Sequence, residues 1–166
     1  MSHTPSKLSL SELTDHIVEQ HHGFLRNELP RIHAMAERVA QVHGGHTPSL
    51  VEVYEVFTEM GQELAAHIQK EEQVLFPVIQ GLDGEGGKTE TNLAEMVARM
   101  MEEHETSAAA IGRLRELTNG YQTPEDACNT YRALFAGLAD FESDNARHIH
   151  LENDLLFPRA MERLVC

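Results

Sequence analysis

The phrase H-I-x-x-E-x-x-x-L-F-P occurs twice in this chain, as HIQKEEQVLFP from His67 to Pro77 and as HIHLENDLLFP from His148 to Pro158. In a helix, four-residue spacing puts His67 and Glu71 on one face, one turn apart, and does the same for His148 and Glu152. Each pair continues an apolar stripe. Phe57, Met60 and Leu64 step by threes and fours to His67, Glu71 and Val74, while Leu138 and Phe141 lead to His148, Glu152 and Leu155. Two imidazoles and two carboxylates are thereby aimed into a core, where an unpaired charge is costly. A shared metal resolves that conflict. A lone HxxxE match is more often a surface pair, and it is the duplication on matching apolar faces that favours a metal site.

The rest of the chain reads as four helices separated by turn residues. Ser9-x-x-Glu12 has the form of a capping box, and the first helix runs from there towards Val42, with Pro30 expected to kink it and Gly44-Gly45 to break it. Thr47-Pro48 opens a second helix whose stripe is Phe57, Met60, Leu64 and Ile68 and whose end is expected near Phe76. GLDGEGG reads as an acidic connector. A third helix is expected over Glu90–Leu117, with Leu93, Val97, Met100, Ile111 and Leu114 on one side and Asn119-Gly120 closing it. Thr123-Pro124 repeats the cap-then-proline signature and opens a fourth helix towards Phe157. Both L-F-P tails read as packing plus helix termination.

Short connections favour an all-α, antiparallel up-down-up-down four-helix bundle, in which helices two and four run the same way. The two His and Glu pairs then face each other at one level. Residues 1–8 are expected to be a flexible arm and residues 9–166 a single domain.

The formal net charge of −14, from 27 acidic against 13 basic residues, argues against a nucleic-acid partner. No apolar run approaches the roughly 20 residues of a membrane span, and the first residues lack the apolar core of a signal peptide, so a cytoplasmic protein is expected. Cys128 and Cys166 form no CxxC arrangement, so any metal must be held by nitrogen and oxygen.

Eleven histidines supply the nitrogen. His104 lies seven residues after Val97 and seven before Ile111, within the apolar stripe of the third helix. In the first helix, periodicity does not separate His21, which joins Ile17 and Phe24, from His22, which joins Val18, Leu25 and Leu29. His16 and His33 are weaker candidates, and His3, His43, His46 and His150 read as loop or outward residues.

Through HHGFLRNELP, HIQKEEQVLFP, EEHE and HIHLENDLLFP the chain resembles the hemerythrin-like superfamily over nearly its full length. Its closest likeness is to the RIC branch, the repair-of-iron-centres proteins. The resemblance implies a non-haem di-iron centre with an oxo or hydroxo bridge and two carboxylate bridges. It matches His22 rather than His21, so the implied ligands are His22, His67, His104 and His148, with Glu71 and Glu152 bridging. Glu63 and Glu103 match acidic positions near the family's site. The implied role is repair of iron-sulfur clusters damaged by nitrosative or oxidative stress, by iron donation or nitric oxide handling, with iron-sulfur client proteins and diatomic gases as partners. The alternative is a reversible oxygen-binding or oxygen and nitric oxide-sensing protein. Oxygen-carrying members, however, place a second histidine four residues after the helix-three ligand, where this chain has Ala108. Full-length RIC proteins also resemble one another in a small cysteine-bearing N-terminal domain, which is expected to be missing here. No hydrolytic triad or phosphate-binding glycine loop is visible, and turnover as an enzyme is left open.

Overall fold

The computed structural model describes residues 4–84 and 92–165, and no strand occurs among them. The helical elements are α1 (Leu10–Ile17), a π-helical turn Val18–His22, α2 (Gly23–His43), α3 (Ser49–Lys70), a second π turn Glu71–Leu75, α4 (Phe76–Gly81), α5 (Leu93–Leu117), α6 (Asn129–His150), a third π turn Leu151–Leu156 and α7 (Phe157–Val165). They form the four helical stretches of an all-α bundle. The described residues group into two compact units, each taking one segment from every stretch.

The first unit contains residues 4–24, 66–84, 92–104 and 145–165. Its core packs Leu10, Leu13 and Ile17 of α1 with Leu75, Phe76 and Ile79, Leu93, Val97 and Met100 of α5, and Leu156, Phe157 and Ala160. The capping box at Ser9 is present: Ser9 Oγ accepts from the Glu12 amide at 3.1 Å, and the Ser9 amide donates to the Glu12 carboxylate at 2.8 Å. A second cap comes from far along the chain, where Asp83 Oδ2 accepts from the Ser11 amide at 2.7 Å. Burial raises the Asp83 pKa, but the Ser11 and Leu10 amides and the Arg163 guanidinium outweigh it and hold the carboxyl below the usual range. Replacing Asp83 with alanine should destabilise this end of the fold by about 1 kcal/mol, as loss of a helix cap does. Since the folded pKa is the lower one, the difference between wild type and variant should persist at neutral pH and vanish as pH falls through that lowered value. Thermal melts at several pH values read both effects.

The second unit contains residues 25–65 and 105–144. Leu25, Ile32, Val39, Val53, Leu114, Leu134 and Leu138 are buried, around Phe57 and Phe141 meeting edge to face at 5.6 Å. A Cβ on Gly44 would collide with the Ala40 carbonyl oxygen, which is why glycine ends α2. Asn119, Gly120 and Tyr121 all have positive φ and turn the chain after α5. The strained Tyr121 is held under the Arg115 guanidinium at 5.4 Å.

Several expectations need correction. The L-F-P tails do not end helices: Phe76 and Phe157 begin α4 and α7, with Pro77 and Pro158 in their first turns. In the π turns the Phe76 and Phe157 amides reach back five residues to the Glu71 and Glu152 carbonyls. The chain is re-registered just before each proline, which has no amide to offer and sits where a first turn tolerates it. The extra residue also rotates the inward face. Leu75 and Leu156 are buried, whereas the predicted Val74 is 53% exposed and Leu155 only half-buried. Pro30 lies inside α2 without breaking it. The fourth stretch starts at Asn129 rather than at Thr123-Pro124, because Pro124 and Ala127 close a separate turn (3.1 Å) and Arg132 binds the Glu125 and Ala127 carbonyls. The third begins at Leu93; Glu90 and most of the GLDGEGG connector's tail lie outside the described residues, as do residues 1–3 of the expected arm. Pro5–Lys7 form a 3₁₀ turn, and the Leu8 carbonyl accepts from Arg159 at 2.7 Å.

Candidate metal centre

All six residues singled out from the sequence converge within the first unit, and none is more than 4% exposed. His22 ends the first π turn, Glu71 opens the second and Glu152 lies in the third, while His67, His104 and His148 come from α3, α5 and α6. The first π turn also explains the ambiguity between His21 and His22. Its extra residue makes the inward face step from Ile17 by five to His22 and by three to Leu25, all essentially fully buried, while Phe24 lies only part-buried. π turns recur at functional sites because they aim a side chain that a regular helix would turn away.

The donor atoms form two groups. In one, Glu71 Oε2 lies 3.0 Å from His22 Nε2 and 4.0 Å from His148 Nε2. Glu152 Oε1 lies 2.6 Å from His148 Nε2 and 3.9 Å from His22 Nε2. In the other, Glu71 Oε1 lies 3.0 Å from His67 Nε2 and 3.8 Å from His104 Nε2, and Glu152 Oε2 lies 2.8 Å from His104 Nε2. Each carboxylate therefore gives one oxygen to each group, and each group is two nitrogens and two oxygens lying within 4.8 Å of one another.

This arrangement suits a metal better than hydrogen bonding alone. Bonds of roughly 2.0–2.2 Å to nitrogen and oxygen put neighbouring donors about 3 Å apart and opposed donors about 4 Å apart, the range seen here. Glu71 Oε1 and Glu152 Oε2 are buried and accept no well-directed hydrogen bond. Opposite them, the Nε2 atoms of His67 and His104 face each other at 3.1 Å. Lone pairs converge on one point from four sides, and a cation satisfies them together.

The electrostatics agree. Burial lowers the His22 pKa, but contacts with Glu152 and Glu71 outweigh it and push the imidazole up to about 9. The same balance raises His104 to about 10, and His67 is raised mainly by Glu71 against burial. Burial raises both carboxylates and the Glu152 charge adds to this for Glu71, yet the surrounding imidazoles hold both below the usual range. Protons stand here where metal charge would.

Around the six, further side chains fix ring orientation. His22 Nδ1 pairs with Glu72 Oε1 at 3.1 Å, and His104 Nδ1 with Asn153 Oδ1 at 2.8 Å. A ring whose Nδ1–H is donated outward keeps the Nε2 lone pair pointing inward. His67 Nδ1 faces Glu103 Oε2 at 3.4 Å, and Glu103 is in turn paired with Lys70 at 2.8 Å. Glu72 and Asn153 were not picked out from the sequence. They are the residues directly after Glu71 and Glu152, so a polar residue at the same place in both repeats was the available signal. The phenylalanines of the two L-F-P tails lie parallel to ligand-side rings, Phe76 on His22 (5.6 Å) and Phe157 on His104 (6.1 Å).

Of the other candidates, Glu63 is exposed, and His16 and His33 are part-buried. His43, His46 and His150 lie outside the groups, and His150 is paired with exposed Asp154 at 2.6 Å; His3 lies outside the described residues. No helix among the described residues is long and apolar enough to cross a membrane.

Known proteins resemble this chain over most of its length. The iron-sulfur cluster repair protein YtfE of Pectobacterium atrosepticum is 38% identical over 153 residues, covering 92% of this chain and 66% of its own length. The probable iron-sulfur cluster repair protein of Haemophilus influenzae is 36% identical over 154 residues with the same two coverages. The iron-sulfur cluster repair protein DnrN of Neisseria gonorrhoeae is 38% identical over 148 residues, 89% of each chain. This chain thus spans just under two thirds of the length of the first two relatives and most of the third. A family model described as the hemerythrin HHE cation binding domain matches residues 13–160, and the chain belongs to that family.

Proposed function

We propose that this chain holds two iron ions, one by His22 and His148 and the other by His67 and His104, with Glu71 and Glu152 bridging them, and that it uses this centre to repair damaged iron-sulfur clusters. The observation that carries the reading is that each of two buried carboxylates offers one oxygen to each of two nitrogen-and-oxygen groups. Donors of this kind, without thiolate, suit iron or manganese rather than a sulfur-rich zinc site. Residues 9–166 serve as one metal-binding domain, preceded by a short arm.

When bound, a di-iron centre supplies one-electron redox chemistry and open coordination positions for a diatomic ligand. The chain's own residues do the rest. Glu72 and Asn153 hold two imidazoles in the inward-facing tautomer, and Phe76 and Phe157 exclude water from their faces. The relatives are named as iron-sulfur cluster repair proteins, which supports iron-sulfur client proteins as partners in the cytoplasm and cluster repair under nitrosative or oxidative stress as the role.

The test is to incubate the reduced, iron-loaded chain with an apo iron-sulfur enzyme, with and without prior nitric oxide damage. Recovery of the enzyme's activity and cluster absorption is expected, at the expense of iron in this chain. No recovery from a chain carrying two irons would reject the repair role. Replacing Asn153 with leucine should weaken metal binding by about 10- to 100-fold, the usual effect of losing an outer partner, as read by metal titration.

A further inference from the structure

We propose that His43 and Cys128 form a reactive thiol–imidazole pair, a site of thiol–disulfide exchange that takes small disulfides such as oxidised glutathione. The pair lies in the second unit, which holds none of the six residues of the candidate metal centre, and the inference is independent of the two-metal reading.

His43 ends α2 and Cys128 stands just ahead of α6, 85 residues further along the chain, yet His43 Nε2 is 3.4 Å from Cys128 Sγ. The thiol is exposed and in no disulfide. Both partners are held in place. Cys128 caps α6, its carbonyl accepting from the Arg132 amide at 3.0 Å. The turn before it is closed by the Ala127 amide on the Pro124 carbonyl, and the Arg132 guanidinium grips the Glu125 and Ala127 carbonyls at 2.6 and 3.1 Å. On the other side, the His43 carbonyl accepts from the His46 and Thr47 amides, and the His43 ring leans on Tyr131 at 5.4 Å between centroids. Tyr131 is itself buried and meets Phe135 edge-on at 4.9 Å.

A nucleophile, a base within hydrogen-bond reach and a third group that orients the base are the parts of an activated thiol. Here they are Cys128, His43 and Tyr131. The thiol also stands at the start of a 22-residue helix, whose positive end favours an anion. In the exchange the Cys128 proton passes to His43 Nε2, and the thiolate sulfur attacks one sulfur of the small disulfide. A new S–S bond forms to Cys128 as the old one breaks, and the departing thiolate takes the proton back from His43. Cys128 is oxidised and the departing half of the small disulfide is reduced, so no other reactant enters.

The experiment follows the reaction of the whole chain at pH 7 with Ellman's reagent, an aromatic disulfide, and takes as the Cys128 rate the phase that Cys128→Ser lacks. An ordinary thiol is only a few per cent ionised at that pH, so Cys128 should react about 10-fold faster than free glutathione. His43→Gln, which stays polar and offers no base, should bring the rate back to that of free glutathione. The gap between wild type and His43→Gln should close by about pH 10, where a thiol ionises unaided, a profile that a merely structural His43 would not give. Incubation with oxidised glutathione should place a mixed disulfide on Cys128, located by mass spectrometry of the proteolysed chain, and should do so about 10-fold more slowly in His43→Gln. A wild-type Cys128 no faster than free glutathione would overturn the inference without recourse to the histidine variant. Equal rates for wild type and His43→Gln at pH 7, or a gap that persists unchanged at about pH 10, would overturn it as well.

Discussion

With Glu71 and Glu152 both changed to glutamine, the purified chain is expected to lose both metal ions, its content falling from about two per chain to near zero. Each carboxylate is shared between the two groups of donors, so no single position survives the loss of both. An amide is nearly isosteric with a carboxylate but carries no charge, and in the proposed centre two buried anionic bridges would balance the charge of the metals. The same change removes the anions that hold His22 and His104 protonated in the metal-free chain. Those two rings should become neutral and the variant should keep its helices. Metal content by elemental analysis, beside circular dichroism, separates a lost site from a lost fold. Unchanged metal content would mean that the two glutamates merely satisfy buried histidines.

The second large effect is the stabilisation that metal in the proposed centre would provide. A ligand held at a thousand times its dissociation constant stabilises the folded state by about 4 kcal/mol, and in a chain of this size each kcal/mol moves the melting temperature by roughly 2–4 °C. Chelation should therefore lower the melting temperature by about 8–16 °C. The gap should depend on pH. In the metal-free chain His22 and His104 titrate at about 9 and about 10, against roughly 6.5 when unfolded. Their contribution to folding is full below about pH 6.5 and is lost as pH rises through 9 to 10. Glu71 and Glu152, with lowered folded values, contribute above about pH 4.3 and lose that contribution as pH falls through those values. The metal-free chain is then most stable between about pH 4.3 and 6.5. Metal displaces the imidazole protons, so the gap in melting temperature should be wider at pH 8 than at pH 6. A gap that narrows with rising pH would contradict this.

The repeat made the centre legible from sequence. The inward direction of His67, Glu71, His148 and Glu152 followed from helical spacing, and His104 followed from its place in the third stripe. What spacing could not supply was the insertion of one residue at each π turn. A period of 3.6 residues, continued through Val18–His22, Glu71–Leu75 and Leu151–Leu156, leaves His21 and His22 tied and points Val74 and Leu155 inward. The structure buries Leu75 and Leu156 instead, each one residue later, and it is His22 that joins the donor groups. The same insertions carry the chain past Pro77 and Pro158, where proline alone reads as a stop.

Long-range partners were also out of reach of pattern. Asp83 caps α1 from 72 residues away in the chain, and Glu72 and Asn153 reach His22 and His104 from 50 and 49 residues away. Nothing local marks these pairings, although the polar residue after each bridging glutamate stood in both copies of the repeat. At the start of α6 the cap-then-proline signature was real chemistry put to another use, since Thr123-Pro124 opens a closed turn rather than a helix.

In the proposed centre two metals share Glu71 and Glu152. The most direct measurement is a crystal structure of the iron-loaded chain with anomalous scattering recorded at the iron edge. Two peaks are expected about 3.5–4 Å apart, one against His22 and His148 and the other against His67 and His104, with both carboxylates spanning the gap. One peak only, or two peaks with Glu71 and Glu152 bound to the same ion, would contradict it.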